Sequence, residues 1–338
     1  MKRIFLFFLV LFFLLETFAQ NRILSMRIVY EIPIMEGKIQ SSTEKDSIVY
    51  DYLIDKRYWW ESIDLVMKKA REKEIVLRDF NGNAVVFDSM INRLSAAIEH
   101  KYNVKFTPEQ VQTMIEEDIR AIRFEEKWTY DPETMFIEKQ VERFQPIIVK
   151  DTILFNGDEL YIGERFRYDL AWVEPLETYA AEDTVRICSN IQTTMRIYNA
   201  KPYHWWDSHL EAEYSIPFME RFISKAESGE LEVFDNPSSL NPLIRPDITR
   251  RRQYDKMESI VMLDSLNNEV TKDTVIKIFY EAENIDHFRF GEAWYFDKNG
   301  LKFMKSTNYF SPVIDIIGFD GTSRGFYPLY YIRKKQIS

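Results

Sequence analysis

The sequence predicts an α+β protein built from two tandem related units, each a helix-covered antiparallel β-meander containing a Trp-rich hairpin. Three observations lead there: a thirty-residue segment recurs without a gap, an amphipathic helical stripe precedes it in both copies, and the recurring segment reads as a β-hairpin. Ile119 to Ile148 aligns with Ile285 to Ile314 at an offset of 166. Ten pairs are identical: Ile119/Ile285, Arg123/Arg289, Phe124/Phe290, Glu126/Glu292, Trp128/Trp294, Asp131/Asp297, Lys139/Lys305, Phe144/Phe310, Pro146/Pro312 and Ile148/Ile314. Such self-similarity is the signature of repeated architecture. Upstream, Lys69-Ala70 matches Lys225-Ala226 at an offset of 156, and downstream Tyr168 and Leu170 match Tyr327 and Leu329 at 159. The offsets differ because loops between shared elements tolerate insertions. The expected organisation is a signal peptide over residues 1–19, unit one with an N-terminal lead over 20–185, and unit two over 186–338.

The elements follow in chain order. Lys2 and Arg3 precede an apolar run from Ile4 to Leu15, then Thr17, Phe18, Ala19 and Gln20. A basic start, an apolar stretch of secretory length and a small residue before the cut describe a signal peptide ending at Ala19. The run is short for a membrane span and nothing later approaches the roughly 18 apolar residues a span needs. Ile63, Val66, Met67 and Ala70 form one helical stripe, and Met219, Phe222, Ile223 and Ala226 its counterpart, with Gly229 placed to end the second helix. Short strands are expected at Glu74 to Arg78 and Glu230 to Phe234. Unit one then holds a helix from Ser89 to His100 with Met90, Leu94, Ala97 and Ile98 on its apolar face. A second helix is announced by Thr107-Pro108-Glu109-Gln110, a cap, an N1 proline and a capping-box partner. Unit two has instead the Pro-rich stretch Asn236 to Arg252, expected to be an extended surface loop. The hairpin runs from Arg120 to Tyr130, turns at Asp131-Pro132-Glu133-Thr134 and returns through Met135 to Phe144; Asp297-Lys298-Asn299-Gly300 makes the second turn. A third strand near Arg165 to Val173, and again near Phe326 to Arg333, completes each meander.

Composition removes function classes. The formal charge is −10, against a nucleic-acid binder, because phosphate affinity comes mainly from clustered Lys and Arg. A single Cys excludes an internal disulfide, an iron–sulfur cluster and a Cys-rich zinc site. Cys188 is expected to be a buried thiol. Nucleophile-elbow and P-loop patterns are missing, and four His leave little for a Ser-His-Asp or Cys-His device. Tyr203 to Glu211 brings His204 and His209 together, but their spacing of five suits neither a helix face nor a strand face. The related Tyr58-Trp59-Trp60-Glu61 has no His, so an aromatic anchor is the favoured role for both.

Period-2 alternation puts Phe124, Glu126, Trp128 and Tyr130 on one face of the first hairpin strand, and Phe290, Glu292, Trp294 and Phe296 on one face of the second. A carboxylate recurring among aromatics has two readings. It can be a general acid with a raised pKa, or a structural group that either accepts from a buried backbone or Trp donor or pairs with Lys139 or Lys305 across the hairpin. No second carboxylate stands at a fixed partner spacing in both units, as glycosidase chemistry requires, which favours the structural role. Arg250-Arg251-Arg252 is a basic cluster in an acidic chain and the best local candidate for docking onto an acidic partner.

Phe290-Gly291-Glu292-Ala293-Trp294-Tyr295-Phe296-Asp297-Lys298, followed by an apolar strand and Pro312, resembles the signature of the GldN/PorN family. Glu125-Glu126-Lys127-Trp128-Thr129-Tyr130-Asp131 resembles a degenerate second copy, and Arg324 to Ile332 resembles the strand that follows the signature. Members of that family are exported periplasmic components of the type IX secretion and gliding motility machinery of Bacteroidetes and associate with an outer-membrane lipoprotein in a large ring. Two signatures where the family has one, and a chain stopping at Ser338 without the family's tail, point to a divergent duplicated relative. The resemblance implies a non-enzymatic periplasmic adaptor that binds envelope proteins, including an outer-membrane lipoprotein ring subunit, and can oligomerise. On this reading there is no catalytic, cofactor or metal site. Trp128, Trp294, Arg250, Arg251 and Arg252 are the candidate partner-binding residues; Arg123, Phe124, Glu126, Asp131, Arg289, Phe290, Glu292 and Asp297 carry the structural motif. The competing expectation is a secreted hydrolase or carbohydrate-binding protein using aromatic-rich clefts with Glu126 and Glu292.

Overall fold

The computed structural model describes residues 22–34, 51–103, 105–156, 159–176, 183–196, 210, 212–263, 269–285, 287–317 and 323–334. The signal peptide expected over 1–19, and His204 and His209, lie outside them.

Strand β1 (Arg22–Pro33) and the short β2 (Asp51–Ile54) come first. Helix α1 (Lys56–Arg71) starts where the Asp55 carboxylate accepts from the backbone N–H groups of Arg57 and Tyr58 at 3.1 and 3.3 Å. The two-residue strands β3 (Leu77–Arg78) and β4 (Ala84–Val85) lead to α2 (Phe87–Tyr102), which buries Met90, Leu94 and Ile98. Helix α3 (Pro108–Glu117) opens on the expected capping box: Thr107 Oγ1 accepts from Gln110 N–H at 3.3 Å, and Gln110 Oε1 accepts from Thr107 N–H at 2.8 Å. The first hairpin is β5 (Ile119–Tyr130) and β6 (Ile137–Asn156), followed by β7 (Glu159–Asp169) and β8 (Trp172–Val173). Strand β9 (Thr184–Arg196) precedes α4 (Ala212–Ser228), which ends at Gly229 with φ +83°. Next come α5 (Arg245–Arg251), β10 (Gln253–Leu263), β11 (Glu269–Phe279), the second hairpin β12 (His287–Asp297) and β13 (Lys302–Ile317), then β14 (Ser323–Pro328) and β15 (Ile332–Arg333).

The protein is mixed α+β with antiparallel sheets. One sheet has the order β1-β5-β6-β8-β3-β4, with β7 also on β6; the other has β14-β13-β12-β9-β2, with β15 also on β13; β10 and β11 form a ribbon of their own. The hairpins share their register. Phe124 faces Phe144 and Trp128 faces Lys139, as Phe290 faces Phe310 and Trp294 faces Lys305. Both return strands bulge before the Glu, at Glu142 and at Asn308. Strand β1 lines β5 on its outer side, and β9 lines β12 in the same way.

Three expectations need correction. A boundary between residues 185 and 186 passes inside β9, which is one continuous strand. The halves are not separately packed: β2 joins the second sheet through β9, α1 lies against β9, and α4 lies against β1. One hydrophobic cluster therefore runs from Leu24 to Ile332. Residues 245–251 of the Pro-rich stretch are helical, because Pro246 sits in the first turn, where its missing N–H has no helical partner to lose. The strands expected at Glu74 to Arg78 and Glu230 to Phe234 shrink to Leu77–Arg78 and to a single bridge between Phe234 and Tyr331.

Candidate functional site

The aromatic faces of the hairpins pack on each other and enclose the recurring carboxylates. Phe124 meets Trp294 edge-on at 5.0 Å, Trp128 meets Phe290 at 5.1 Å, and Phe144 meets Phe303 at 4.8 Å between ring centroids. Inside, Glu126 Oε1 lies 2.6 Å from Lys305 Nζ, and Glu292 Oε1 lies 2.5 Å from Lys139 Nζ, all four side chains fully buried. Each carboxylate pairs with the lysine of the opposite hairpin, which corrects the expected pairing within one hairpin. The face-to-face packing brings the other sheet's ammonium to each carboxylate.

Further donors reach both carboxylates. Trp128 Nε1 donates to Glu126 at 2.8 Å, and Trp294 Nε1 donates to Glu292 at 3.0 Å. Tyr30 Oη donates to Glu126 at 2.8 Å and accepts from Lys305 at 2.6 Å. The ammonium of Lys305 lies 3.4 Å from the Phe124 ring centroid, and that of Lys139 3.3 Å from Phe290, so cation–π attraction adds to each pair. Burial pushes Lys305 down to about 8 against the upward pull of Glu126 and Glu292. Burial would raise Glu292, but Lys139 and Lys305 outweigh it and hold its carboxyl below the usual value. The direction favours the charged carboxylate at Glu292, opposite to the raised value a general acid needs. Glu126 and Glu292 thus lie in the packed interior between the two sheets and line no surface cleft among the described residues.

The rest of the motif is structural in the same sense. Asp131 accepts from Glu133 N–H at 2.8 Å and Thr134 Oγ1 at 2.9 Å, and Asp297 accepts from Asn299 N–H at 3.0 Å, so each Asp ties its hairpin turn. Arg123 is buried on the far face of β5, donating to Gln145 at 2.5 Å and pairing with Asp169 at 2.8 Å and Glu31 at 3.2 Å. Arg289 donates to Thr194 Oγ1 at 3.0 Å. Phe124, Phe290, Trp128 and Trp294 are all 0% exposed. The two indoles therefore reach no partner, which corrects their assignment as binding residues.

The arginine cluster divides. Arg252 is buried, paired with Glu227 at 2.6 Å and Glu281 at 3.2 Å, and donates to the Tyr280 carbonyl at 3.1 Å, so it too is removed from the docking set. Arg251 donates to the Leu329 carbonyl at 3.1 Å and pairs with Asp235. Arg250 is 77% exposed beside Asp247 at 3.0 Å. Arg250 and Arg251 border a cavity of about 420 Å³ walled by Tyr254, Tyr280, Ile314 and Tyr327.

That cavity lies at the root of the β10–β11 ribbon, which the sequence reading missed. The ribbon pairs eleven residues of each strand, Gln253 with Phe279 through Leu263 with Glu269, and pairs with no other strand among the described residues. At about 3.4 Å per residue it is roughly 35 Å long. Val261, Val275 and Phe279 share one face, and Val261 and Val275 are 60% and 58% exposed. Met262 and Val270 face each other near the tip and are also exposed. Two apolar, β-branched runs around Asp264-Ser265-Leu266-Asn267-Asn268 were the available signal. The sequence matches no family model and no curated protein, and no solved structure matches the fold.

Proposed function

We propose that this protein is a non-enzymatic periplasmic adaptor of the type IX secretion or gliding motility machinery, acting by protein–protein binding. The β10–β11 ribbon carries the reading. A two-stranded ribbon with no third strand among the described residues is marginal in water, and it leaves Val261, Val275 and Phe279 exposed along one face, spaced by polar pairs such as Ser259 and Asp273. Addition of a strand or docking of a partner against Val261, Val275 and Phe279 resolves both. Arg250 and Arg251 beside the root cavity add a positive edge suited to an acidic partner segment. The secretory pattern at residues 1–19 and the resemblance to the GldN/PorN family supply the compartment and the machinery.

The same proposal includes an origin by duplication, as a divergent relative of that family. The shared register, the equivalent bulges and the reciprocal Glu–Lys pairs support it, with the junction between Leu176 and Asp183 rather than at 185/186. The test is crosslinking and affinity purification from the native periplasm. Recovery of an outer-membrane lipoprotein or ring subunit by the wild type, and its loss with V261S/V275S at unchanged melting temperature, is the expected outcome. A monomer that crosslinks to no envelope protein would sink the proposal.

A further inference from the structure

A groove of about 670 Å³ opens beside the turn of the first hairpin, lined by side chains from the segments 131–138, 230–234 and 332–334 and sharing none with the ribbon or its root cavity. Its floor is apolar, made by Phe136, Leu231, Phe234 and Ile332. Its rim is acidic, with Glu133, Glu138 and Glu232 all solvent-exposed and Glu230 beside them. Asp131 also borders it, with both oxygens engaged in the hairpin turn. Two cations line the groove: Arg333, whose guanidinium stacks 3.6 Å from the Phe234 centroid, and Lys334. Lys225 comes within 3.5 Å of Glu230. Five carboxylates against the two lining cations and the adjacent Lys225 leave the groove with a net negative charge.

The carboxylates are spread along the rim. Among the described residues no three His, Cys, Asp or Glu side chains come close enough to hold a metal ion. A row of separated charges above an apolar floor matches a linear polycation with apolar side chains, where converging charges would match a point cation. We propose that this groove binds an extended basic segment of a partner protein, its apolar side chains on Phe136, Phe234 and Ile332 and its Lys or Arg side chains on Glu133, Glu138 and Glu232. The volume lies within the range of ligand sites, and charge complementarity sets specificity and steers the encounter. The site goes beyond the adaptor reading and does not depend on the ribbon.

Fluorescence anisotropy of the purified chain with a labelled peptide of alternating lysine and valine tests it. Binding should weaken steeply with added salt, drop at least tenfold in the E133Q/E138Q/E232Q variant, and stay unchanged in V261S/V275S. An alternating lysine–serine peptide should bind at least tenfold more weakly, because it leaves the floor uncovered. Equal binding of an alternating glutamate–valine peptide, undiminished binding by the triple variant, or equal binding of the lysine–serine peptide overturns the proposal. So does competition by spermine at the concentration that suffices for the lysine–valine peptide, which would mark a polyamine surface. The three Glu side chains are exposed, so the variant is expected to keep the wild-type melting temperature.

Discussion

Replacing Glu126 by Gln leaves the Lys305 ammonium buried with the Tyr30 hydroxyl, two aromatic faces and the more distant Glu292 around it. Breaking a buried pair by removing one partner costs about 3–5 kcal/mol, because the other charge is left uncompensated. Glu126→Gln should therefore lose about 3–5 kcal/mol at pH 7, read as a lower urea midpoint with an unchanged m-value by Trp fluorescence. The pH dependence carries the sign. In the wild type Lys305 already sits at about 8, below its unfolded value, so its folded form binds fewer protons between pH 8 and 10.5, and stability from this group rises with pH there. In the variant it falls further, so the variant begins to gain at lower pH. The deficit should narrow as pH approaches 8 and then hold constant to about 10. A loss under 1 kcal/mol, or a deficit flat from pH 6 to 8, would refute the reasoning. In E126Q/K305M the loss should be smaller than the sum of the single losses, since no buried charge is stranded; strict additivity would show that the two side chains do not interact.

Glu292 is held below its usual carboxylate value, so it supplies stability present above about 4.5 and lost as pH falls through its lower folded value; acid unfolding of Glu292→Gln should lack that component of the wild-type curve. Cys188 is buried, so a thiol reagent should label native protein slowly and label one thiol per chain in denaturant; rapid native labelling would contradict its placement. A Cβ on Gly291 would lie 2.0 Å from the Tyr309 ring, so Gly291→Ala should destabilise by about 1–3 kcal/mol and be partly rescued by Tyr309→Ser; equal loss in both backgrounds would exclude the clash.

Much of the local structure is legible in the sequence because it rests on neighbours in the chain. The Thr107 to Gln110 capping box, the α1 and α4 stripes and both Asp-tied turns are decided within a few residues. What crosses the molecule is not. Glu126 can meet Lys139 or Lys305 with identical chemistry, and only the packing of two sheets selects the second. Tyr30, the hydroxyl between Glu126 and Lys305, sits 275 residues from that lysine, and no periodicity marks it. Strand β1 read as a lead and β9 as a boundary, because a flanking strand has no repeated signature and its pairing is set by the strand it joins. In the Pro-rich stretch a proline admissible in the first turn of a helix was read as a loop signal. The ribbon leaves Val261, Met262, Val270 and Val275 exposed, so the rule that apolar faces seek a core points away from its arrangement.

The reciprocal pairs raise a question of specificity that their own symmetry does not answer. If Glu126–Lys305 and Glu292–Lys139 were the whole recognition, the first sheet of one chain could pack on the first sheet of another with the same chemistry. The strands flanking the hairpins break the equivalence. Tyr30 stands opposite Phe124, and Thr193 stands opposite Phe290. The Tyr30 ring lies 4.8 Å from one ammonium and 5.8 Å from the other, so a single large side chain fills the middle of the charge cluster. A pairing of two first sheets brings two such rings into that space, and overpacking is destabilising. A pairing of two second sheets brings none, leaving a void and removing the hydroxyl that donates to the carboxylate and accepts from the ammonium. The charges hold the two faces in register, and the Tyr30/Thr193 difference makes the unlike combination the one that fits.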